Sequence, residues 1–271
     1  MFTGQFFPSH LGKVKIIARN SQDNGNVTEV EGNIKVIRMD VPKDFRQNLQ
    51  FDFNSEAFVL VPYNGTYDVK IQASGFIPQE FKVSVLCTSM DCEVVRLTVL
   101  SPTLAVGKTR ITMTWESSSP SDIDIHTMAI RKTDNSLCKT FYGEKTGCDA
   151  IIQDTDISGG GLNGAETVTL LDATVNHEYL YLISIRDHGF ENDGKAFLDS
   201  GAKISITNGL QTMEIKMEAS IISSETPYYF LGCLDVQTGG PFIFSKATNG
   251  TIFAGSQDSQ WLQMQSIYCQ T

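Results

Sequence analysis

The sequence predicts an all-β protein, built as tandem immunoglobulin-like or transthyretin-like β-sandwiches and closed by a short C-terminal β segment. Three observations predict it. Period-two alternation recurs along the chain, in "KVKIIA", "NIKVIRM", "LQFDF", "TYDVKIQA", "FKVSVL", "VVRLTV", "RITMTW", "ETVTLL", "KISIT" and "MEIKM"; this spacing puts every second side chain on one face of a strand. No long window places apolar residues at the i, i+3, i+4, i+7 positions of a helix face. The alternating runs are short and separated by turn residues, the rhythm of a sandwich.

The order of elements divides the chain into four parts. Residues 1–9 form an N-terminal extension, "MFTGQFFPS", without the basic segment and apolar stretch of a secretory leader, so a secreted destination implies a leader removed or lying upstream. Residues 10–101 read as a first sandwich that opens on the strand "GKVKIIARN". In its later strands Tyr67, Val69 and Ile71 share one face and fill the core, while Thr66, Asp68 and Lys70 face water. Pro102 and Gly107 mark a boundary near residue 104, and a second sandwich runs from 104 to 219. Residues 220–271 hold the strands "YYFLGCLDV", "PFIFSKA", "GTIFAG" and "QWLQMQSIY". This segment is too short for a core of its own and is expected to complete a neighbouring sheet or meet another subunit.

Two resemblances accompany this reading. The block "VPYNGTYDVKIQASGFIPQEFKVSV" resembles the end of a carboxypeptidase regulatory-like, transthyretin-like sandwich, with Pro62, Gly65, Tyr67, Val69, Ile71, Ala73, Gly75 and Phe76 in the places of that family's motif. The resemblance implies a scaffolding module without an active site. The pattern "ITMTWESSSPSDIDIH", "DTDISGGGLNGAETVTL" and "FLDSGAKISIT" is similar to an extracellular β-sandwich family that carries "LTW", "DLDxH", "GxGPE" and "SGAxV" motifs, except that Ala165 stands where the proline is usual. That resemblance implies surface display.

Composition bounds the function. The net charge of -10, from 31 acidic and 21 basic residues, would repel polyanions, and no basic cluster offsets it, so nucleic-acid binding and attraction to anionic membranes are excluded. The longest apolar runs are far too short to span a bilayer as helices, so no membrane insertion is expected. Six cysteines fall into local pairs, Cys87 with Cys92, Cys138 with Cys148 and Cys233 with Cys269. Their spacings are not those of zinc sites, so disulfides and an oxidising compartment are expected. Three sequons, at Asn26, Asn64 and Asn249, agree with a secreted or surface-exposed glycoprotein carrying N-linked glycans, and the two Asn-Gly-Thr copies predict exposed turn tips.

The chemical candidates reduce to one constellation. In "SDIDIH", Ile123 and Ile125 are expected to face a core, and Asp122, Asp124 and His126 to lie on a wet face. Neighbours on that face stand about 6.6 Å apart, so the histidine is out of reach of an ion held by Asp122. Asp154, Asp156 and Glu166 flank the glycine-rich "SGGGLNG" and supply further oxygen ligands. Asp122, Asp124, Asp154, Asp156 and Glu166 therefore make a candidate calcium site; the competing reading is that these carboxylates fix the loop by hydrogen bonds. Calcium is the only cofactor in view, and none is required.

No catalytic constellation is found. The "FLDSGA" segment carries the hydrophobic-Asp-Ser-Gly of aspartic proteases, but only once, where the chemistry needs two aspartates. The histidines His10, His126, His177 and His188 sit in no nucleophile or zinc motif. Aromatics crowded toward both chain ends suggest strand addition between subunits, in which an end of one chain pairs with a neighbour's open sheet edge. The resulting expectation is a secreted structural protein and not an enzyme, its partners copies of itself in a head-to-tail polymer. The alternative is a calcium-assisted adhesion or glycan-binding module.

Overall fold

The computed structural model describes residues 12–36, 45–62, 64–88, 92–105, 107–115, 122–147, 150–157, 165–170, 176–187, 202–209, 211–216, 228–237, 241–253 and 258–269. Joined by turns and loops, the regular elements among these residues are strands, with a 3-10 segment at Asn176–Glu178 and an α-helix, α1, at Asp258–Tyr268. The chain divides into two compact units, Met1–Asn20 with Gly25–Thr103, and Leu104–Thr271 with the short piece Ser21–Asn24.

The first unit contains β1 (Gly12–Asn20), β2 (Glu31–Val36), β3 (Arg46–Gln50), β4 (Glu56–Val61), β5 (Gly65–Gln72), β6 (Gln79–Val85) and β7 (Glu93–Leu100). They form a three-stranded sheet in the order β4-β1-β7 and a four-stranded sheet in the order β3-β2-β5-β6. β1 runs antiparallel to β4 and parallel to β7. Alternation decides the core: Val14, Ile16 and Ala18 of β1, Val59 and Val61 of β4, Tyr67, Val69 and Ile71 of β5, and Val83 and Val85 of β6 are buried in one cluster. Thr66, Asp68 and Lys70 turn outward, where Lys70 pairs with Glu80 and Asp68 with Lys35. At the end of this core Cys87 and Cys92 are joined across 5.3 Å between Cα atoms.

The second unit contains β8 (Thr109–Thr114), β9 (Ile123–Arg131), β10 (Leu137–Thr140), β11 (Thr146–Gly147), β12 (Ile151–Thr155), β13 (Glu166–Leu170), β14 (Tyr179–Asp187), β15 (Lys203–Asn208), β16 (Thr212–Lys216), β17 (Tyr228–Val236) and β18 (Phe242–Phe253). One sheet has the order β10-β9-β14-β17-β18 and the other β11-β12-β13-β8-β15-β16. Between them lies a core that includes Ile111, Met113, Trp115, Ile123, Ile125, Val168, Tyr181 and Ile206.

Four expectations are corrected here. The segment "QWLQMQSIY" is helical, because Trp261, Met264 and Tyr268 recur at helical spacing and together line one face against the sheet. That helix face joins Met128, Ile130, Leu180, Leu182 and Phe230 in a third apolar cluster, and Cys269 is bonded to Cys233 of β17, 5.6 Å away between Cα atoms. Within residues 220–271, β17 pairs with β14 in the interior of the five-stranded sheet. The aromatics Tyr229, Phe230 and Phe242 are core residues and not an exposed patch. The runs "PFIFSKA" and "GTIFAG" are one strand, β18, interrupted by an irregularity where four residues, 247–250, oppose Leu231 alone.

The wet face of "SDIDIH" is the fourth correction. Every residue of β9 from Ile123 to Ile130 is buried. One face packs on the opposing sheet, and the other carries Met128 and Ile130 into the cluster under α1. His126 is 7% exposed and stacks on Phe141, with ring centroids 5.6 Å apart and planes 20° from parallel.

Candidate functional site

The site begins with a gap in a ladder. β10 pairs with β9 only from Ile130 to Thr127, so the Ile125 amide has no strand partner on that side. Glu166, at the start of β13 and facing inward with Val168 and Leu170, fills the gap: its Oε2 accepts a hydrogen bond from the Ile125 N–H at 2.6 Å. Glu166 is 0% exposed and Asp124 1%. Its second oxygen, Oε1, is buried and accepts no hydrogen bond among the described residues.

A bulge sorts the remaining acids. In β12, Gln153 lies opposite Val168 and Thr155 opposite Thr167, so the register slips by one residue at Asp154. Such a slip exchanges the two faces of a strand. Asp154 is left on the outer face, where it accepts a hydrogen bond from Thr169 Oγ1 and lies 4.0 Å from the Arg110 guanidinium. Asp156, just past the end of β12, is itself exposed but carries its carboxylate toward Glu166 and not toward Asp154. Asp124, Asp156 and Glu166 each offer an oxygen within 4.8 Å of the others. Asp122 and Asp154 do not belong to this group, so the structure brings together three of the five residues singled out from the sequence.

The electrostatics follow from burial. Removal from water pushes the Glu166 carboxyl well above its ordinary pKa, and the neighbouring Asp124 and Asp156 push it further, against the amides of Ile125 and Ile157. Asp156 lies at the mouth, 3.5 Å from Lys145 Nζ. Burial likewise raises Asp154 and lowers Arg110, each opposed by the other's charge. The three-carboxylate group can hold a proton or accept a divalent cation; its all-oxygen donor set suits calcium, with remaining ligands supplied by backbone carbonyls or water.

The other sequence candidates are dispersed. Asn26 is exposed and its Nδ2 donates to Phe53 O at 3.3 Å. Asn64 stands at the turn into β5, where its side chain exchanges two hydrogen bonds with the Cys87 backbone, at 2.8 and 2.9 Å. Asn249 lies within β18 rather than on a turn between strands. Cys138 is disulfide-bonded. Cys148, the glycine-rich stretch 158–164, residues 1–11, His188 and the "FLDSG" part of "FLDSGA" lie outside the described residues.

Two features escaped the sequence reading. Arg110 and Thr169 form a buried polar contact, Nε to Oγ1 at 3.1 Å, on the outer face of the six-stranded sheet; alternation in "RITMTW" puts Arg110 outward but says nothing of its burial. Phe58 and Leu60 of β4 are 48% and 55% exposed, with Lys13 Nζ 4.4 Å from the Phe58 ring centroid. Their outward places could have been read from the alternation of "EAFVLV".

No protein-family model matches the chain, and no curated protein matches it. Among solved structures, a homologue of the telluride resistance protein TerD from Streptomyces coelicolor A3(2) is similar at 13% identity over 58% of this chain and 95% of that one, with a TM-score of 0.43. A protein of unknown function, SAV2460, is similar at 15% identity over 55% and 92% of the two chains, TM-score 0.41. The full-length major pilin SpaD from Corynebacterium diphtheriae is similar at 12% identity over 93% of each chain, TM-score 0.30. Among the described residues no helix is long and apolar enough to cross a membrane.

Proposed function

We propose that the protein is a non-catalytic structural subunit of an extracellular filament or surface coat, assembled by contacts between sheet edges of neighbouring copies. The observation that carries this reading is β4. Beyond the bridge between Phe51 and Ala57, β4 pairs only with β1 among the described residues, and on this open edge it exposes Phe58 and Leu60. An open edge bearing large apolar side chains favours addition of another strand. The disulfides Cys87–Cys92 and Cys233–Cys269 agree with an oxidising compartment, and the sequons at Asn26, Asn64 and Asn249 with N-glycosylation. Sedimentation velocity over a range of concentrations tests the reading, with electron microscopy of the same material. Wild type should form polymers and Phe58→Glu with Leu60→Glu should not; a wild type that stays monomeric at every concentration would overturn it.

A second reading, a calcium-assisted adhesion or glycan-binding module, is favoured by one observation, the convergence of Asp124, Asp156 and Glu166 within 4.8 Å. Calorimetry should then register calcium binding that is lost in Asp124→Asn with Glu166→Gln. Absence of heat at millimolar calcium removes this reading.

A further inference from the structure

The outer face of the β3-β2-β5-β6 sheet holds an open cavity of about 690 Å³, within the range of small-molecule sites. Its floor is paired backbone. At Gly32, between Leu49 and Ile71 in the core-facing row, a Cβ would meet the Lys70 carbonyl oxygen at 2.9 Å, so glycine lets the strands under the cavity pair this closely.

The side chains on this floor are ordered by strand register. Asn48 stands opposite Asn33, Asn33 opposite Lys70, and Lys70 opposite Glu80. In the adjoining row Gln50, Glu31 and Gln72 are aligned in the same way. Lys70 is ion-paired with Glu80 within the face, while Glu31 accepts a hydrogen bond from Gln72 Nε2 at 3.2 Å and keeps its negative charge. Asn33, Asn48 and Gln50 make no side-chain hydrogen bond among the described residues, so three primary amides remain to meet a ligand. Phe51 and Pro78 border the cavity with apolar surface.

We infer that this face binds a neutral oligosaccharide. An amide offers donors and an acceptor side by side, and a sugar hydroxyl needs one of each. An anionic ligand would seek a cation, but Lys70 is already paired with Glu80 and Glu31 adds negative charge, whereas a sugar hydroxyl can donate to the Glu31 carboxylate as well as to the amides. The C–H face of a sugar ring packs on apolar surface such as Pro78 offers. Because the amides ride on a hydrogen-bonded ladder, their positions are fixed before the ligand arrives, which lowers the entropic cost of binding. The inference deepens the glycan-binding part of the second reading above and needs no calcium.

The test is a titration of the uniformly ¹⁵N-labelled full chain, in the presence of a chelator, followed by amide chemical shifts. Cellotetraose probes a free structural polysaccharide and mannotetraose an N-linked-type chain. One of the two should produce saturable shifts at Glu31–Asn33, Asn48–Gln50 and Lys70–Gln72. Asn33→Ala with Asn48→Ala should weaken binding about tenfold or more at an unchanged unfolding midpoint, since a lost hydrogen-bond partner is worth roughly a factor of ten; Asn48→Ala alone, at an exposed position, serves if the double variant misfolds. No saturable shift with either sugar at millimolar concentration, shifts confined to other strands, or full affinity in the variants would overturn the inference. Chelation separates its failure from that of the calcium reading.

Discussion

In the first unit the β3-β2-β5-β6 sheet has one buried face and one polar face, whereas in the second unit the β10-β9-β14-β17-β18 sheet has strands covered on both. On β5 the pattern is simple: Tyr67, Val69 and Ile71 are buried, and Lys70 and Gln72 are exposed. On β9 the residues from Ile123 to Ile130 are all buried, polar and apolar alike, because the opposing sheet covers one face and α1 helps to cover the other. A face covered a second time must accommodate whatever polar groups it carries. Asp124, His126 and Ser184 are such groups in the second unit; on the outer face of the β3-β2-β5-β6 sheet Lys70 and Gln72 are exposed.

The largest effect that could break this comparison is expected at the second cover. Trp261 is 3% exposed and packs in the cluster that α1 shares with β9, β14 and β17. Trp261→Ala should cost about 3–5 kcal/mol in urea unfolding, and Asn48→Ala on the open face of the first unit within about 0.5 kcal/mol. Near-equal costs would mean that α1 does not function as a second cover.

The two bridges give the next contrast. Cys233–Cys269 spans a sequence separation of 36 and fastens α1 to β17, while Cys87–Cys92 spans 5 within the first unit. Loop-closure entropy alone assigns them about 3.8 and about 2.2 kcal/mol. Calorimetric scans of the paired serine variants should therefore show the larger drop in melting temperature for Cys233→Ser with Cys269→Ser. The reverse order would place the weaker restraint in the second unit.

What could be read in advance follows the same division. In the first unit alternation decides the fold, since a half-buried strand repeats every second residue; β1 occupies the stretch "GKVKIIARN" that the pattern marked. In the second unit three physical facts hid the arrangement. Burial on both faces erased the meaning of alternation for β9. A one-residue slip at Asp154 sent two aspartates that should share a face to opposite sides of the sheet. The helix α1 is too short for its apolar spacing to stand out, and tertiary packing and the bond to Cys233 hold what propensity alone would not. The carboxylates were legible as types near one another; which of them meet was set by the bulge.

A smaller effect, with a defined sign, comes from Glu166. Its raised pKa means that the folded chain holds a proton where the unfolded chain has released it. The stability tied to this group is complete below the ordinary glutamate range and declines as pH rises through that range toward the raised value. Glu166→Gln should keep an acceptor for the Ile125 amide and remove this decline. The variant should thus melt higher than wild type at neutral pH in chelator, with the difference closing on acidification. Millimolar calcium, if it binds, should reverse the order by raising wild type alone. A wild type unaffected by both pH and calcium would mean that the carboxyl group is not as isolated from water as its burial implies.

The smallest effect sharpens the comparison from the exposed side. Lys70 and Glu80 pair on the open face of the first unit with side chains 49% and 65% exposed, whereas Arg110 and Asp154 on the outer face of the second unit are 3% and 13% exposed. Water screens the first pair and is largely excluded from the second, so Glu80→Gln should change stability by no more than about 0.5 kcal/mol. Urea unfolding at low and high salt checks this, and the difference should shrink as salt is added. A cost well above that, or one insensitive to salt, would show that something covers the outer face of the β3-β2-β5-β6 sheet. That face would then resemble the doubly buried sheet of the second unit, and the cavity beside Asn33 and Asn48 would be closed to a saccharide.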